Sequence, residues 1–177
     1  LNFCSNCGHP VKFGSVPDDD NPRYYCEHCG AIHYENPKLV VGSLPRWEDK
    51  ILLCKRAIEP RKGLWTLPAG FLEMGESVEE GALRETLEEA NARVEIVRLF
   101  SIYSLPHIGQ VYLMFLADLQ DLDFHPGKES QEVRLFGKEE VPLAQVAFTA
   151  IKFTLEKYFQ NFKNLNNEIH TASFLKK

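Results

Sequence analysis

The segment that most constrains what the chain can fold into is residues 70–92, GFLEMGESVEEGALRETLEEANA. Ser77 followed three residues on by Glu80 is a capping-box pattern, in which each side chain satisfies a backbone amide left open at a helix start, so a helix is predicted to begin near Ser77. Leu83, Leu87 and Ala90 recur at helical spacing and predict an apolar stripe packed on a sheet. Each helical residue advances about 100 degrees, which puts Glu85, Glu88 and Glu89 within roughly a third of the circumference. Like charges so close repel. Two readings stand: a solvated acidic face, or a site for a hard divalent cation such as magnesium or manganese, which prefers carboxylate oxygens.

Around this helix the pattern is that of one layered α/β domain. Strands are expected at residues 39–44, 50–56, 94–103, 110–118 and 132–136, and a short strand running into a loop at residues 63–70. A last helix is expected at residues 149–162, with Ile151, Leu155, Tyr158 and Phe162 on one side. Residues 163–177 are polar and weakly periodic and read as a tail. Strands interleaved with two main helices favour mixed pairing over a regular parallel repeat. Cys54, inside an apolar strand, reads as a buried thiol with nothing near it to activate it.

The other four of five cysteines form two pairs, Cys4 with Cys7 and Cys26 with Cys29, separated by 18 residues and each followed by glycine. That spacing suits a tetrahedral four-thiolate zinc site, closed to catalysis because no ligand position is open. About 35 residues cannot bury enough apolar surface to hold themselves together, so the metal is expected to supply much of the segment's folding energy. His9, His28 and His33 are spare ligands that four cysteines make unnecessary. The division expected is a zinc ribbon over residues 1–36, a catalytic domain over 37–162 and the tail.

Charge limits the partners. With a net charge of −5 the chain is a poor match for bare nucleic acid, which demands clustered cations. Within the ribbon Lys12 and Arg23 stand against Asp18, Asp19, Asp20, Glu27 and Glu35, so a scaffolding, dimer-contact or cleft-shaping role is favoured over a nucleic-acid adaptor. No apolar run approaches the roughly 20 residues that span a bilayer. The start lacks a signal-peptide pattern, so the cytoplasm is the expected compartment, although the chain does not begin with Met.

Gly70, Glu76, Arg84, Glu85, Glu88 and Glu89 stand at the spacing of the Nudix box, Gly-x5-Glu-x7-Arg-Glu-U-x-Glu-Glu-x-Gly-U, where U is a bulky aliphatic residue. Thr86 departs from it in place of an aliphatic, and Asn91 in place of the glycine, a mild change because Asn tolerates the left-handed conformation. The chain therefore resembles the Nudix hydrolases, which implies an α/β/α sandwich with a mixed sheet. The resemblance implies that Glu85, Glu88, Glu89 and the Gly70 carbonyl bind magnesium or manganese. Arg84, counted with the catalytic set, holds a glutamate rather than substrate, and Glu76 orders it. Water attacks one phosphorus of a diphosphate, and one glutamate accepts its proton. Glu132 stands where relatives often supply a further ligand or base; Glu129 is the weaker candidate.

A zinc ribbon ahead of the box also resembles the NADH pyrophosphatases, but their Ser-Gln-Pro-Trp-Trp-like motif is replaced here by SIYSLPHIGQVY. The segments NPKLVVG, LCKR, LWTLPAGFLE, SLPHIGQVY and PGKESQEVRLF are more similar to bacterial and plant plastid FAD or ADP-ribose pyrophosphatases. FAD, cleaved to FMN and AMP, is the implied substrate, with ADP-ribose or NADH as alternatives and a homodimer as the expected assembly. Tyr103, His107 and Tyr112 are candidates for contacting its rings, against an equal reading as strand packing. Trp65 and Phe71 flank the box, where a core anchor is the simpler reading; Lys55 and Arg56 could meet phosphates or solvent. A Nudix-fold regulator that binds a nucleotide without turning it over is the alternative of another class.

Overall fold

The computed structural model describes residues 1–161 and 167–174, the side chain of residue 161 excepted. The chain forms two compact units, Leu1–Asn36 and Pro37–Lys177.

In the first unit, β1 (Lys12–Gly14), β2 (Arg23–Tyr25) and β3 (Ile32–His33) form an antiparallel sheet. Its two cysteine turns are built alike. The amide of Gly8 donates to the Cys4 carbonyl and that of Gly30 to the Cys26 carbonyl. Both glycines take a left-handed conformation, with φ of 74° and 72°, that a side chain would strain.

In the second unit β4 (Lys38–Trp47), β5 (Lys50–Arg56), β8 (Val94–Leu105), β9 (Gln110–Leu119), β10 (Ser130–Phe136) and β11 (His170–Ser173) pair in the order β10-β5-β4-β9-β8-β11. The short β6 (Trp65–Thr66) and β7 (Ala69–Phe71) add to β5 and β4. The sheet is mixed: β4 runs parallel to β9 and β11 to β8, while the remaining pairs are antiparallel. Helices α1 (Val78–Ala90) and α2 (Thr149–Asn161) cover its two faces. Four consecutive residues of β5 are buried because both faces are covered. Ile51 and Leu53 join the core under α2, and Leu52 and Cys54 the core beside the end of α1.

Each helix is pinned to the sheet by a buried hydroxyl pair. On α1, Thr86 donates to the Ala82 carbonyl and lies 2.5 Å from the Ser43 hydroxyl. On α2, Thr154 donates to the Ala150 carbonyl and lies 2.8 Å from Ser101. Each threonine has one proton and spends it on its own helix, so the serine must donate. The threonine that departs from the aliphatic pattern is therefore satisfied in a core position.

The expected stripe on α1 is corrected. Leu83 and Leu87 face outward, 38% and 51% exposed, and the buried residues are Gly81, Ala82, Thr86, Glu89 and Ala90. Small side chains allow the close approach of helix to sheet that a leucine stripe would prevent. The capping box forms as expected, and Asn91 ends the helix with a left-handed φ of 48°. On α2, Ile151, Leu155 and Tyr158 are buried as predicted, whereas Phe162 lies outside the described residues. The tail is also corrected in part: His170–Ser173 is the edge strand β11, parallel to β8, and of the other tail residues 163–166 and 175–177 lie outside the described set. Among the described residues no helix is long and apolar enough to cross a membrane.

Candidate active site

Strand directions gather the polar residues at one end of the sheet. β4, β9 and β10 begin there and β5, β8 and β11 finish there, as the register of each pair requires. An open cavity of about 1320 Å³ occupies this end. Its acidic lining is Glu59, Glu73, Glu85, Glu88, Glu89 and Glu129; Arg56, Arg61, Arg84 and Lys128 supply positive charge, and Phe71, His107, Tyr112, Phe148 and Phe174 supply rings.

The box residues form a single hydrogen-bonded unit. Arg84 clamps Glu76 with two bonds of 2.9 and 2.7 Å, then reaches Glu85 at 2.7 Å, Glu88 at 3.2 Å and the Phe71 carbonyl at 3.1 Å. Paired with the guanidinium, the Glu76 carboxyl is held well below its usual range, at about 2, so it stays ionised as an anchor. Gly70, on β7 opposite Val41, is required by Glu85: a Cβ there would lie 2.3 Å from Oε1. Glu89 is 6% exposed and its Oε2 has no hydrogen-bond partner among the described residues. Burial, then the charge of Glu85, pushes its carboxyl up to about 8 against the opposing charge of Arg56. Burial also raises Glu85.

An uncompensated buried carboxylate is costly. These glutamates and the Gly70 cradle fit a hard divalent cation, which would relieve the repulsion and partner the orphaned Glu89 oxygen. The fit requires side-chain movement, because the carboxylate oxygens are not gathered within 4.8 Å of one another as the cysteine sulfurs are. Arg84 draws Glu85 and Glu88 toward itself.

Glu132 does not belong to this cavity. It sits on β10 opposite Lys55 of β5, 3.8 Å from that ammonium, past an irregularity in pairing between Ser130 and Glu132. Glu129, the weaker candidate, is the one at the cavity. It lines the cavity, and its charge raises both Glu85 and Glu89. The loop before β10 is brought in by Gly127, whose amide donates to the Glu89 carbonyl and whose Cβ would meet the Glu88 carbonyl oxygen at 1.7 Å.

Of the ring-contact candidates, His107 and Tyr112 line the cavity. Tyr103 is corrected to core packing: it is buried, with its ring 5.2 Å from Phe153. Trp65 is a core anchor, edge-on to Phe136, but Phe71 is half-exposed in the cavity. Arg56 faces the cavity with its guanidinium 5.1 Å from the Phe148 ring. Phe148 and Phe174 were not singled out from the sequence. Neither belongs to a motif, and only pairing across the sheet brings them here. Cys54 is buried and its thiol raised by that burial, so it is inert as expected.

In the other unit the sulfurs of Cys4, Cys7, Cys26 and Cys29 lie within 4.8 Å of one another. Cys4 and Cys29 are 3.6 Å apart and Cys7 and Cys26 3.5 Å. The set fits a four-thiolate zinc ion. His9 and His28 stack beside it, ring centroids 3.6 Å apart. Both ribbon cations are paired with acids, Lys12 with Glu27 and Arg23 with Asp19.

This sheet, box helix and acidic cavity define a Nudix hydrolase, and the chain belongs to that family: the NUDIX domain matches residues 36–157 and the Nudix N-terminal zinc ribbon residues 2–35. The chain is similar to a NAD-capped RNA hydrolase NudC of Edwardsiella ictaluri, at 33% identity over 143 residues, 79% of this chain and 53% of the relative. NudC of Salmonella typhi is 30% identical over 87% of this chain and 58% of its own length. The chain thus spans slightly over half of these relatives. A NUDIX hydrolase structure from Nitrosomonas europaea superposes with a TM-score of 0.92 at 52% identity, covering 98% of this chain and all of that one. An ADP-ribose pyrophosphatase of Streptococcus suis shares the fold, with a TM-score of 0.64 at 24% identity over 77% of this chain and all of that one. Divalent cations serve catalysis in this family, and the ribbon's cysteine set is of the zinc-binding kind.

Proposed function

We propose that the chain is a magnesium- or manganese-dependent dinucleotide pyrophosphatase whose preferred substrate is FAD, cleaved to FMN and AMP, with NADH and ADP-ribose as lesser substrates. One observation carries this reading: six carboxylates, four basic side chains and five rings share one cavity. Its volume of about 1320 Å³ exceeds the roughly 300–1,000 Å³ of usual ligand pockets, which suits a substrate with a nucleoside at each end of a diphosphate. FAD itself is favoured by the resemblance of the flanking segments.

In this reading Glu85, Glu88, Glu89 and the Gly70 carbonyl hold the cations. Bound there, they supply the charge that neutralises the phosphates and makes water a better nucleophile. Arg84 is a positioning residue that fixes the glutamates. Arg56 and Lys128 meet phosphate oxygens, and Glu129 accepts the proton of the attacking water. The four cysteines hold a structural zinc. A homodimer belongs to the same reading and is supported by the family resemblance alone.

Incubation with FAD, NADH, ADP-ribose, ADP-glucose and nucleoside triphosphates, with and without magnesium, followed by product identification, tests the proposal. Metal-dependent release of FMN and AMP supports it. A preference for NADH would sink the substrate assignment, and no cleavage of any compound would sink the enzyme and leave the nucleotide-binding regulator. NAD-capped RNA is the second reading, favoured by the 30–33% identity to relatives of that name, and belongs among the substrates tried. Both ribbon cations being paired argues against RNA gripped by the ribbon.

A further inference from the structure

We infer that the C-terminal strand is a substrate-binding element, packing Phe174 against His107 so that the exposed face of this ring clip stacks on a flat aromatic ring of the substrate. The inference rests on the reading of the cavity as a dinucleotide site.

The placement is set by pairing rather than by sequence proximity. Strand β11 runs parallel to β8 with His170 opposite Ser101 and Ser173 opposite Ser104. The amide of Phe174 then donates to the Ser104 carbonyl at 3.0 Å. This carries the phenyl ring past the end of the sheet, where the 3₁₀ turn Pro106–Ile108 holds His107. The ring centroids are 5.4 Å apart and tilted by 60°. Both residues line the cavity, and Phe174 remains 43% exposed. The uncovered part of the ring is available to a molecule in that cavity.

Position fits the task. Gly70 lies on β7, which flanks β4 on the side away from β9, so β11 is four strand steps along the sheet, a lateral offset of ~19 Å at ordinary strand spacing. A substrate whose diphosphate sits at the glutamates would therefore extend one nucleoside half toward the clip. Aromatic stacking tolerates any flat ring and holds it without a fixed hydrogen-bond pattern. The ring is that of either half, adenine or isoalloxazine.

Kinetics of Phe174→Leu and Phe174→Tyr on FAD test the inference, since leucine keeps apolar bulk without a ring face and tyrosine keeps the ring. Phe174→Leu is expected to raise KM about tenfold with kcat within about twofold, and Phe174→Tyr to behave like the parent. An unchanged KM in Phe174→Leu, an equal loss in Phe174→Tyr, or a parallel fall of kcat would overturn it. Titration of FAD without divalent ions, followed by flavin fluorescence, reads the same contact without turnover. About tenfold weaker binding in Phe174→Leu supports the clip even if FAD is never cleaved, a result that would sink only the proposed function. No binding to the parent protein, or equal binding to both, overturns the clip. AMP and FMN as competitors then name the half: the one whose inhibition weakens in Phe174→Leu occupies the clip, and no change in either rejects it.

Discussion

Gly70 is where the smallest side chain matters most. Its missing Cβ is the space taken by the Glu85 carboxylate, so Gly70→Ala is expected to displace that carboxylate. Turnover should fall by ~10²-fold, the scale of a 1 Å misplacement, with little change in melting temperature. Two neighbouring glutamates make a paired test. Glu129→Gln is expected to lower kcat by about 10²-fold or more, as loss of a general base does, while Glu132→Gln, opposite Lys55 on the sheet, should leave kcat and metal dependence unchanged. The reverse ranking would return the role to Glu132. Arg84→Ala frees Glu76, Glu85 and Glu88 at once; a loss of about 10–100-fold in metal affinity or activity is expected for an orienting group of this kind, read by a magnesium titration of the rate.

At the scale of elements, α1 and β11 were read unequally well. The start and end of α1 were legible because capping is local chemistry: Ser77 and Glu80 satisfy each other's backbone amides, and Asn91 can turn left-handed. Which face is buried was not legible, since spacing identifies leucines but not how close the sheet comes. β11 was invisible because a four-residue strand of mixed character acquires its meaning from β8. It is held in part by His170, buried against Phe100 with ring centroids 5.0 Å apart. Burial lowers its pKa from the ordinary value, aided by the charges of Lys157 and Arg98 and opposed by Glu168. The folded state thus prefers the neutral ring. Its stabilisation is complete above the unfolded pKa of about 6.5 and is lost as pH falls through the lowered folded value. Hydrogen-exchange protection at residues 170–174, taken relative to the intrinsic rate at each pH, should fall between about pH 7.5 and 5.5, and much less so in His170→Gln. Identical pH dependence in the two proteins would reject that account.

For the whole molecule, two kinds of metal chemistry serve two units, and each should be removable by itself. Elemental analysis is expected to find one zinc per chain. Cys26→Ser should lose it and unfold residues 1–36, since a segment so small depends on its metal. Magnesium dependence of the remaining activity should persist, because the carboxylates lie in the other unit. Zinc retained in Cys26→Ser would point to His9 or His28 as a substitute ligand.

What the sequence alone determined was chemistry carried by spacing. Two Cys-x-x-Cys pairs and a helix with Glu85, Glu88 and Glu89 near one face mark candidates for a soft and a hard metal, because ligands a few residues apart are placed by local geometry. It also marked the longer strands of the second unit, through alternation and turn residues. Tertiary structure decided everything that depends on which strands meet. It put Glu129 rather than Glu132 at the cavity, buried Tyr103 in the core, turned Leu83 and Leu87 outward and brought Phe174 to the cavity from a segment read as tail. Those outcomes follow from register and strand order, which join residues about 70 positions apart and leave no local mark in the chain.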